Sequence, residues 1–192
     1  MSDITVPGTY FAKPGRGNTD AVLQIAKRRA DELGIRSILV ASTFGDTGVA
    51  AAELFTGYDL VVVTHSTGFA APNAQELTPE NRARIEALGA KILTCQHAFG
   101  GVGRAVRKKW GTYELEEIVA NTLRIFGEGT KVCVEIALMA ADAGLVRTGE
   151  PCIAIAGTGR GADTALVLQP ANAQSFFDLR VMEILCKPRL GA

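Results

Sequence analysis

Two rhythms of apolar residues alternate along this chain. Leu60-Val61-Val62-Val63-Thr64 is an unbroken apolar run, as expected of a strand covered on both faces. Ile38–Ala41, Lys91–Cys95, Cys152–Ala156 and Ala165–Leu168 read as further strands, and Val181–Cys186 as a last one. Between them the spacing is helical. Val22, Ile25, Ala26, Ala30 and Leu33 follow a helical repeat after Asn18-Thr19, and Gly34 stops it. A helix opening near Asp46 is expected to end around Gly57. Another begins at Thr78-Pro79-Glu80, with Pro79 at the first helical position, and closes at Gly89. Gly100, Gly101, Gly103 and Gly111 argue against one continuous helix over 96–112. Helices are predicted from about Thr112 to Phe126 and from about Thr130 to Ala143, the latter closed by Gly144. Alternating strand and helix predicts an α/β sheet with helices on both faces, in one domain spanning 1–192, and the strand–loop–strand ending adds an antiparallel edge.

Composition narrows the function classes. The 192 residues carry 20 Lys and Arg against 20 Asp and Glu. That balance leaves no global electrostatic footprint for nucleic acid or an anionic membrane, so any anion site must be local. Cys95, Cys133, Cys152 and Cys186 form no Cys-x-x-Cys pair and lie in apolar surroundings, so buried reduced thiols are expected. Met1-Ser2-Asp3-Ile4-Thr5 lacks the regions of a signal peptide, and no apolar run approaches the roughly 20 residues that span a bilayer; the cytoplasm is the expected address.

The turn from Ser42 to Thr47 carries the chemistry. A strand ends in Ser42-Thr43-Phe44-Gly45-Asp46-Thr47 and an alanine-rich helix follows. Helix N-terminal amides lack intrahelical partners and sit at the positive end of the dipole, so a phosphate or carboxylate is the natural guest. Ser42, Thr43 and Thr47 add hydroxyls, and Gly45 would let the main chain approach the guest. The competing reading is that these small residues only cap the helix. Asp46 would compete with an anion or turn outward to satisfy the dipole itself. Thr64-His65-Ser66-Thr67-Gly68-Phe69 should lie beside this turn if the two strands are neighbours, with Phe69 against a planar ligand and His65 and Thr67 as polar contacts.

Gly157-Thr158-Gly159-Arg160-Gly161-Ala162-Asp163-Thr164 superficially matches a dinucleotide fingerprint, but its spacing is G-x-G-x-G and it enters a strand, which excludes a Rossmann site. Arg160 could fork onto a phosphate or stack on an aromatic ring. Glu135, in apolar surroundings and seven residues before Asp142 on one predicted helix face, is either paired or near a functional cleft. Cys95-Gln96-His97 offers two metal-ligand types without the remaining ligands, so no metal is expected. Lys13 reads as a surface residue, and Arg104, Arg107, Lys108 and Lys109 as a solvated helix face. Walker A, zincin and hydrolase-elbow motifs are absent.

Two segments resemble the C-terminal domain of pyruvate kinase: Ser37 to Thr47, similar to its phosphate-gripping turn, and Ala143 to Gly157 with Gly161-Ala162-Asp163-Thr164, similar to its last helix end, strand and effector loop. Tyr10 to Gly15 with Asn18-Thr19, Thr64 to Phe69, Cys133-Val134-Glu135-Ile136 with Met139 to Gly144, Phe176-Phe177-Asp178 and Cys186-Lys187-Pro188-Arg189 resemble a family of small stand-alone prokaryotic proteins of the same fold. Gly48 departs from that family's usual alanine, which would weaken the helix start by up to roughly 1 kcal/mol, and Val49 departs from its pattern too. The resemblance implies a three-layer α/β/α fold with a mixed, mostly parallel sheet, and flavin mononucleotide (FMN) as the cleft ligand. It does not imply kinase activity. On this reading Ser42, Thr43, Gly45, Asp46 and Thr47 would hold the phosphate. Thr64, His65, Thr67, Gly68 and Phe69, with Gly157, Thr158, Arg160, Gly161, Asp163 and Thr164, would wall the ring system, and Glu135 and Met139 would reach the cleft from the helix side. A flavin there could support redox chemistry, with no residue assigned a catalytic step. The alternative is a non-catalytic sensor of a sugar phosphate or nucleotide. Expected partners are a small phosphorylated ligand, no nucleic acid and no membrane; a homo-oligomer is compatible with the sequence.

Overall fold

The computed structural model describes residues 3–189; Met1 and Ser2 of the stretch read for a leader, and the extreme ends of the 1–192 domain span, lie outside them. Seven strands, β1 (Thr9–Phe11), β2 (Ser37–Ala41), β3 (Asp59–Val63), β4 (Lys91–Leu93), β5 (Cys152–Ala156), β6 (Thr164–Gln169) and β7 (Arg180–Pro188), form one sheet in the order β1-β7-β6-β5-β2-β3-β4. β2 runs parallel to β3 and β5, and β3 parallel to β4. β6 alone opposes its neighbours. The antiparallel element expected at an edge is therefore interior. The cause is β7, which pairs with the far side of β6; β1 then pairs in parallel with β7 and becomes the edge. Three residues, two of them exposed, leave no periodicity by which such a strand could be read.

Strand alternation divides the core between two faces. Ile38 and Val40, Leu60 and Val62, and Ile153 and Ile155 pack against α1 (Thr19–Leu33), α2 (Asp46–Leu54) and α3 (Pro79–Ala87). Leu39, Val61, Val63, Ala154 and Ala156 pack against α6 (Glu128–Asp142). α5 (Leu115–Arg124) covers the far side of α6 through Ala120, Val134 and Leu138, and α4 (Val102–Trp110) flanks it. The result is the three-layer α/β/α arrangement with a mixed, mostly parallel sheet. Enclosure on two sides explains why α6 is apolar nearly all round. Truncating fully buried Leu138 to alanine would cost about 2–5 kcal/mol. Among the described residues no helix is long and apolar enough to cross a membrane.

Several boundaries move. β3 and β4 stop at Val63 and Leu93, and α2 ends at Leu54, with Gly57 in the turn beyond. α4 fits between Gly101 and a left-handed Gly111, so the glycines bound a short helix. α5 starts at Leu115 and α6 at Glu128. Asn18 does not cap α1 with its side chain: a 3-10 turn over Arg16–Asn18 runs straight into the helix, and the amide of Asn18 donates instead to the carbonyls of Lys13 (2.8 Å) and Gly15 (3.1 Å). Thr78 does cap α3, accepting from the Asn81 amide at 3.2 Å, with Pro79 at the first turn. Cys133, Cys152 and Cys186 are buried free thiols, whereas Cys95 is only half-buried.

Candidate functional site

The parallel strands β2, β3 and β5 end at the same side of the sheet. The Ser42 amide donates to Val63 carbonyl oxygen (2.9 Å) and the Thr64 amide to Leu93 carbonyl oxygen (2.9 Å), which keeps the loops after β2 and β3 adjacent. A cleft of about 680 Å³ opens there, bounded by the start of α2, the loop after β3, the β5–β6 loop and α6.

Gly45 precedes α2 at φ 102°. A Cβ at this position would stand 2.4 Å from Asn81 Cβ and 2.7 Å from Leu77 Cδ1. The glycine is thus required by backbone conformation and by packing on α3, and not by approach to a guest, and Gly45 does not line the cleft. Gly48 is likewise held to glycine by β3, since a Cβ would sit 2.8 Å from Val62 Cγ1. Ser42 Oγ accepts from the Gly48 amide at 3.1 Å, so this hydroxyl oxygen caps the helix, in keeping with the bland reading of the turn. The amides of Asp46 and Thr47 have no protein acceptor among the described residues. The Asp46 carboxylate turns outward: it pairs with Arg160 (3.1 Å) and accepts from Asn81 Nδ2 (3.3 Å), and the Arg160 guanidinium lies 4.8 Å from the Phe44 ring centroid.

An aromatic wall follows. Phe69, His65 and His97 form a triangular cluster: Phe69 lies 4.0 Å from His65, tilted, and 5.1 Å from His97, stacked, and the two imidazole centroids are 5.3 Å apart. His65 Nδ1 is 2.7 Å from Glu76 Oε2, and Nε2 is 3.3 Å from Thr43 Oγ1. With Nδ1 donating to Glu76, Nε2 is the acceptor side of the ring and faces the Thr43 hydroxyl at the cleft surface. His97 Nε2 accepts from the Ser66 amide at 3.3 Å. Burial holds the His97 pKa below its ordinary 6.5; the Glu135 charge opposes that, and His65, Lys131 and Arg104 reinforce it.

The floor is a buried ion pair. Lys131 Nζ donates to Glu135 Oε2 at 2.5 Å, with both side chains no more than 5% exposed, and Glu135 Oε1 accepts from the Phe99 amide at 3.0 Å. Glu135 is thus both paired and on the cleft, beside Met139. Asp142 is neither. It accepts from Asn172 Nδ2 and the Ala173 amide, fixing the 3-10 segment that follows β6.

The structure gathers Ser42, Thr43, Asp46, Thr47, Thr64, His65, Phe69, Glu135, Met139, Gly157, Arg160 and Gly161 around one cleft. Thr67 and Gly68 line an adjoining hollow instead. Thr158, Asp163 and Thr164 line neither. Fully buried Asp163 accepts from the amides of Gly15 (2.8 Å) and Thr158 (3.1 Å) and from the Thr164 hydroxyl (2.8 Å), and so ties the loop together from within.

Sequence reasoning missed Arg16, Thr19, Arg104, Arg124 and Glu128, and passed over Lys131. Only Lys131 carried a signal, as a lysine one helical turn before Glu135 in an apolar stretch. The lining holds five cations, Arg16, Arg104, Arg124, Lys131 and Arg160, against Asp46, Glu128 and Glu135. Arg124 pairs with Glu128 at 2.7 Å, so Arg16 and Arg104 are in no ion pair among the described residues. Among those residues no three His, Cys, Asp or Glu side chains gather as a metal site.

A family model described as pyruvate kinase, alpha/beta domain, matches residues 20–168. Among solved structures, a pyruvate kinase from Cryptosporidium parvum is 13% identical over 80% of this chain and 23% of its own, with a TM-score of 0.41. The Cryptosporidium parvum enzyme in complex with ADP is 14% identical over 84% of this chain and 24% of its own, with a TM-score of 0.39. A cysteine synthase from Entamoeba histolytica is 18% identical over 65% of this chain and 44% of its own, with a TM-score of 0.31. The chain spans about a quarter of the length of these pyruvate kinases.

Proposed function

The chain belongs to the pyruvate kinase alpha/beta domain family, and from that premise we propose that it binds a phosphorylated planar ligand, FMN, in the cleft at the carboxyl ends of β2, β3 and β5. The observation that carries the reading is the start of α2. Asp46 is drawn away to Arg160 and Asn81, and the open amides of Asp46 and Thr47 belong to cleft-lining residues. A dianionic phosphate there meets the positive end of the helix and the surplus charge of Arg16 and Arg104. The rest of the cleft fits the remainder of such a ligand. About 680 Å³ is within the usual range for cofactor pockets, and Phe44 and Phe69, 37% and 40% exposed, add apolar ring surface to its lining. FMN, when bound, supplies hydride chemistry. The chain's own residues grip the phosphate and pack the ring, and His65, oriented by Glu76, positions the Thr43 hydroxyl.

An absorbance spectrum of the purified protein, with calorimetric titration of FMN and of riboflavin, tests the reading. Ser42→Ala combined with Thr47→Val should weaken FMN by about tenfold or more while changing riboflavin little. Equal loss for both ligands would remove the phosphate from the α2 terminus. A colourless protein whose melting temperature rises with sugar phosphates would identify the sensor alternative.

A further inference from the structure

A second hollow, of about 500 Å³, adjoins the cleft and shares Phe69, His97 and Arg104 with it. Parallel pairing of β3 with β4, Val63 beside Leu93, sets the segments Ser66–Gly68 and Thr94–Gln96 side by side, and Gly100, Gly101 and Lys108 complete the lining. Ser42–Thr47 lines only the cleft, so the Phe69–His97 stack stands between the α2 terminus and this hollow.

The charge of the hollow is one-sided. Arg104 and Lys108, one helical turn apart on α4, line it, and no Asp or Glu does. Neither cation is in an ion pair among the described residues, whereas Arg107, between them, is bound to Glu117 at 2.8 Å. Arg104 is also incompletely satisfied. Its Nε is shut off from solvent with no hydrogen-bond partner, the one such buried side-chain atom among the described residues, and its guanidinium lies 5.0 Å from the Phe69 ring centroid. Nε packs inside the wall, and the two Nη nitrogens, which donate to no acceptor among the described residues, are the ones a guest in the hollow can reach. His97 contributes no negative charge, and its Nε2 is already occupied by the Ser66 amide.

We propose that this hollow binds a small organic acid through its carboxylate, with the planar fork of Arg104 taking both oxygens and Lys108 adding attraction at the rim. Two coplanar carboxylate oxygens fit the guanidinium edge in bidentate fashion, and the Phe69 ring beside it offers apolar contact to a carbon skeleton, which inorganic phosphate lacks. The acid would lie against Phe69, the same ring that walls the larger cleft, and so next to whatever planar ligand occupies it. The proposal stands whether or not that ligand is FMN.

The test is an NMR titration of the full chain with lactate, succinate and inorganic phosphate at constant ionic strength, following the amides of Ser66, Thr67 and Gly101. Saturable shifts at these amides are expected for at least one acid, with phosphate weaker. Arg104→Gln should weaken the acid by about tenfold or more. Arg104→Lys keeps the charge and the stem's packing but removes the fork, and its affinity should fall several-fold whatever the fate of Arg104→Gln. Ser42→Ala should leave the acid unaffected, which separates this site from the phosphate reading of the cleft. No saturable shift with either acid, phosphate binding as tightly as the acids, or affinity unchanged in both Arg104 variants would overturn it.

Discussion

Two loops of similar composition meet at the cleft and do opposite things. Ser42–Thr47 and Gly157–Thr164 are both built of glycine, hydroxyl and one acidic residue. In the second loop the acid is buried and its oxygens are occupied: Asp163 holds the amides of Gly15 and Thr158 and the Thr164 hydroxyl, while Thr19 Oγ1 accepts from the Ala162 amide at 3.0 Å. In the first loop the acid is exposed and tethered outward, and two helix amides are left without protein acceptors. On the proposed reading of the cleft, the location of the carboxylate, inside or outside, separates a loop braced from within from one whose amides can receive a guest. Residue types alone do not separate the two cases, because both outcomes need small residues and short polar side chains.

That contrast can be broken most forcefully at Asp163. Asp163→Ala strands three donors at a fully buried position and should cost about 3 kcal/mol or more in urea unfolding. Unchanged stability would show that something else holds the loop. A paired glycine test sharpens the same point. Gly45→Ala meets both a left-handed backbone and the side chains of α3, and should cost about 2–4 kcal/mol. Gly159→Ala has φ 74° but open space around it, and should cost only about 1–2 kcal/mol. Equal losses would contradict the close packing of the first loop on α3.

His97 extends the contrast to an atom whose acceptor role depends on pH. Its folded pKa lies below the ordinary 6.5 because it is buried, so the unfolded chain takes up the proton first. Its contribution to stability is complete above about pH 6.5 and is lost as the pH falls toward the folded value. Unfolding free energies measured between pH 7.5 and about 5 should therefore decline more steeply in the parent than in His97→Gln. Parallel slopes would mean that the imidazole is not withdrawn from water. The smallest effect belongs to Arg160→Gln. Its ion pair with Asp46 is largely exposed on both sides, and removing it should change stability by less than about 1 kcal/mol.

Much of the fold was legible because its signals are local. Gly34 and Gly144 end α1 and α6 in left-handed conformations, Thr78-Pro79 opens α3, and the unbroken run at Leu60–Val63 lies in β3. β1 was not legible, since only its pairing with β7, far away in the chain, makes three residues, two of them exposed, a strand. The interior place of β6 follows from its pairing with β7 on the side away from β5. At the site, residues at strand ends were legible, because a parallel sheet brings its carboxyl ends together. Arg104 was not: on a short amphipathic helix rich in arginine and lysine it has the pattern of a solvated face, and only the turn of α4 toward Phe69 distinguishes it from its neighbours. Asp163 and Thr164 were misplaced for the converse reason. A glycine-rich loop suggests openness to a ligand, but its polar atoms are occupied by Gly15 and by the loop itself.

The Gly15–Asp163 bond joins residues 148 positions apart. Contacts of such long range are closed only after a large loss of chain entropy, and they form late. On a growing polypeptide, β2 and β3 can pair as soon as they emerge, but the wall of the cleft formed by the β5–β6 loop has to wait until residue 163 has been made. The shape of that wall is therefore a property of the assembled sheet, which no local segment of the chain carries by itself.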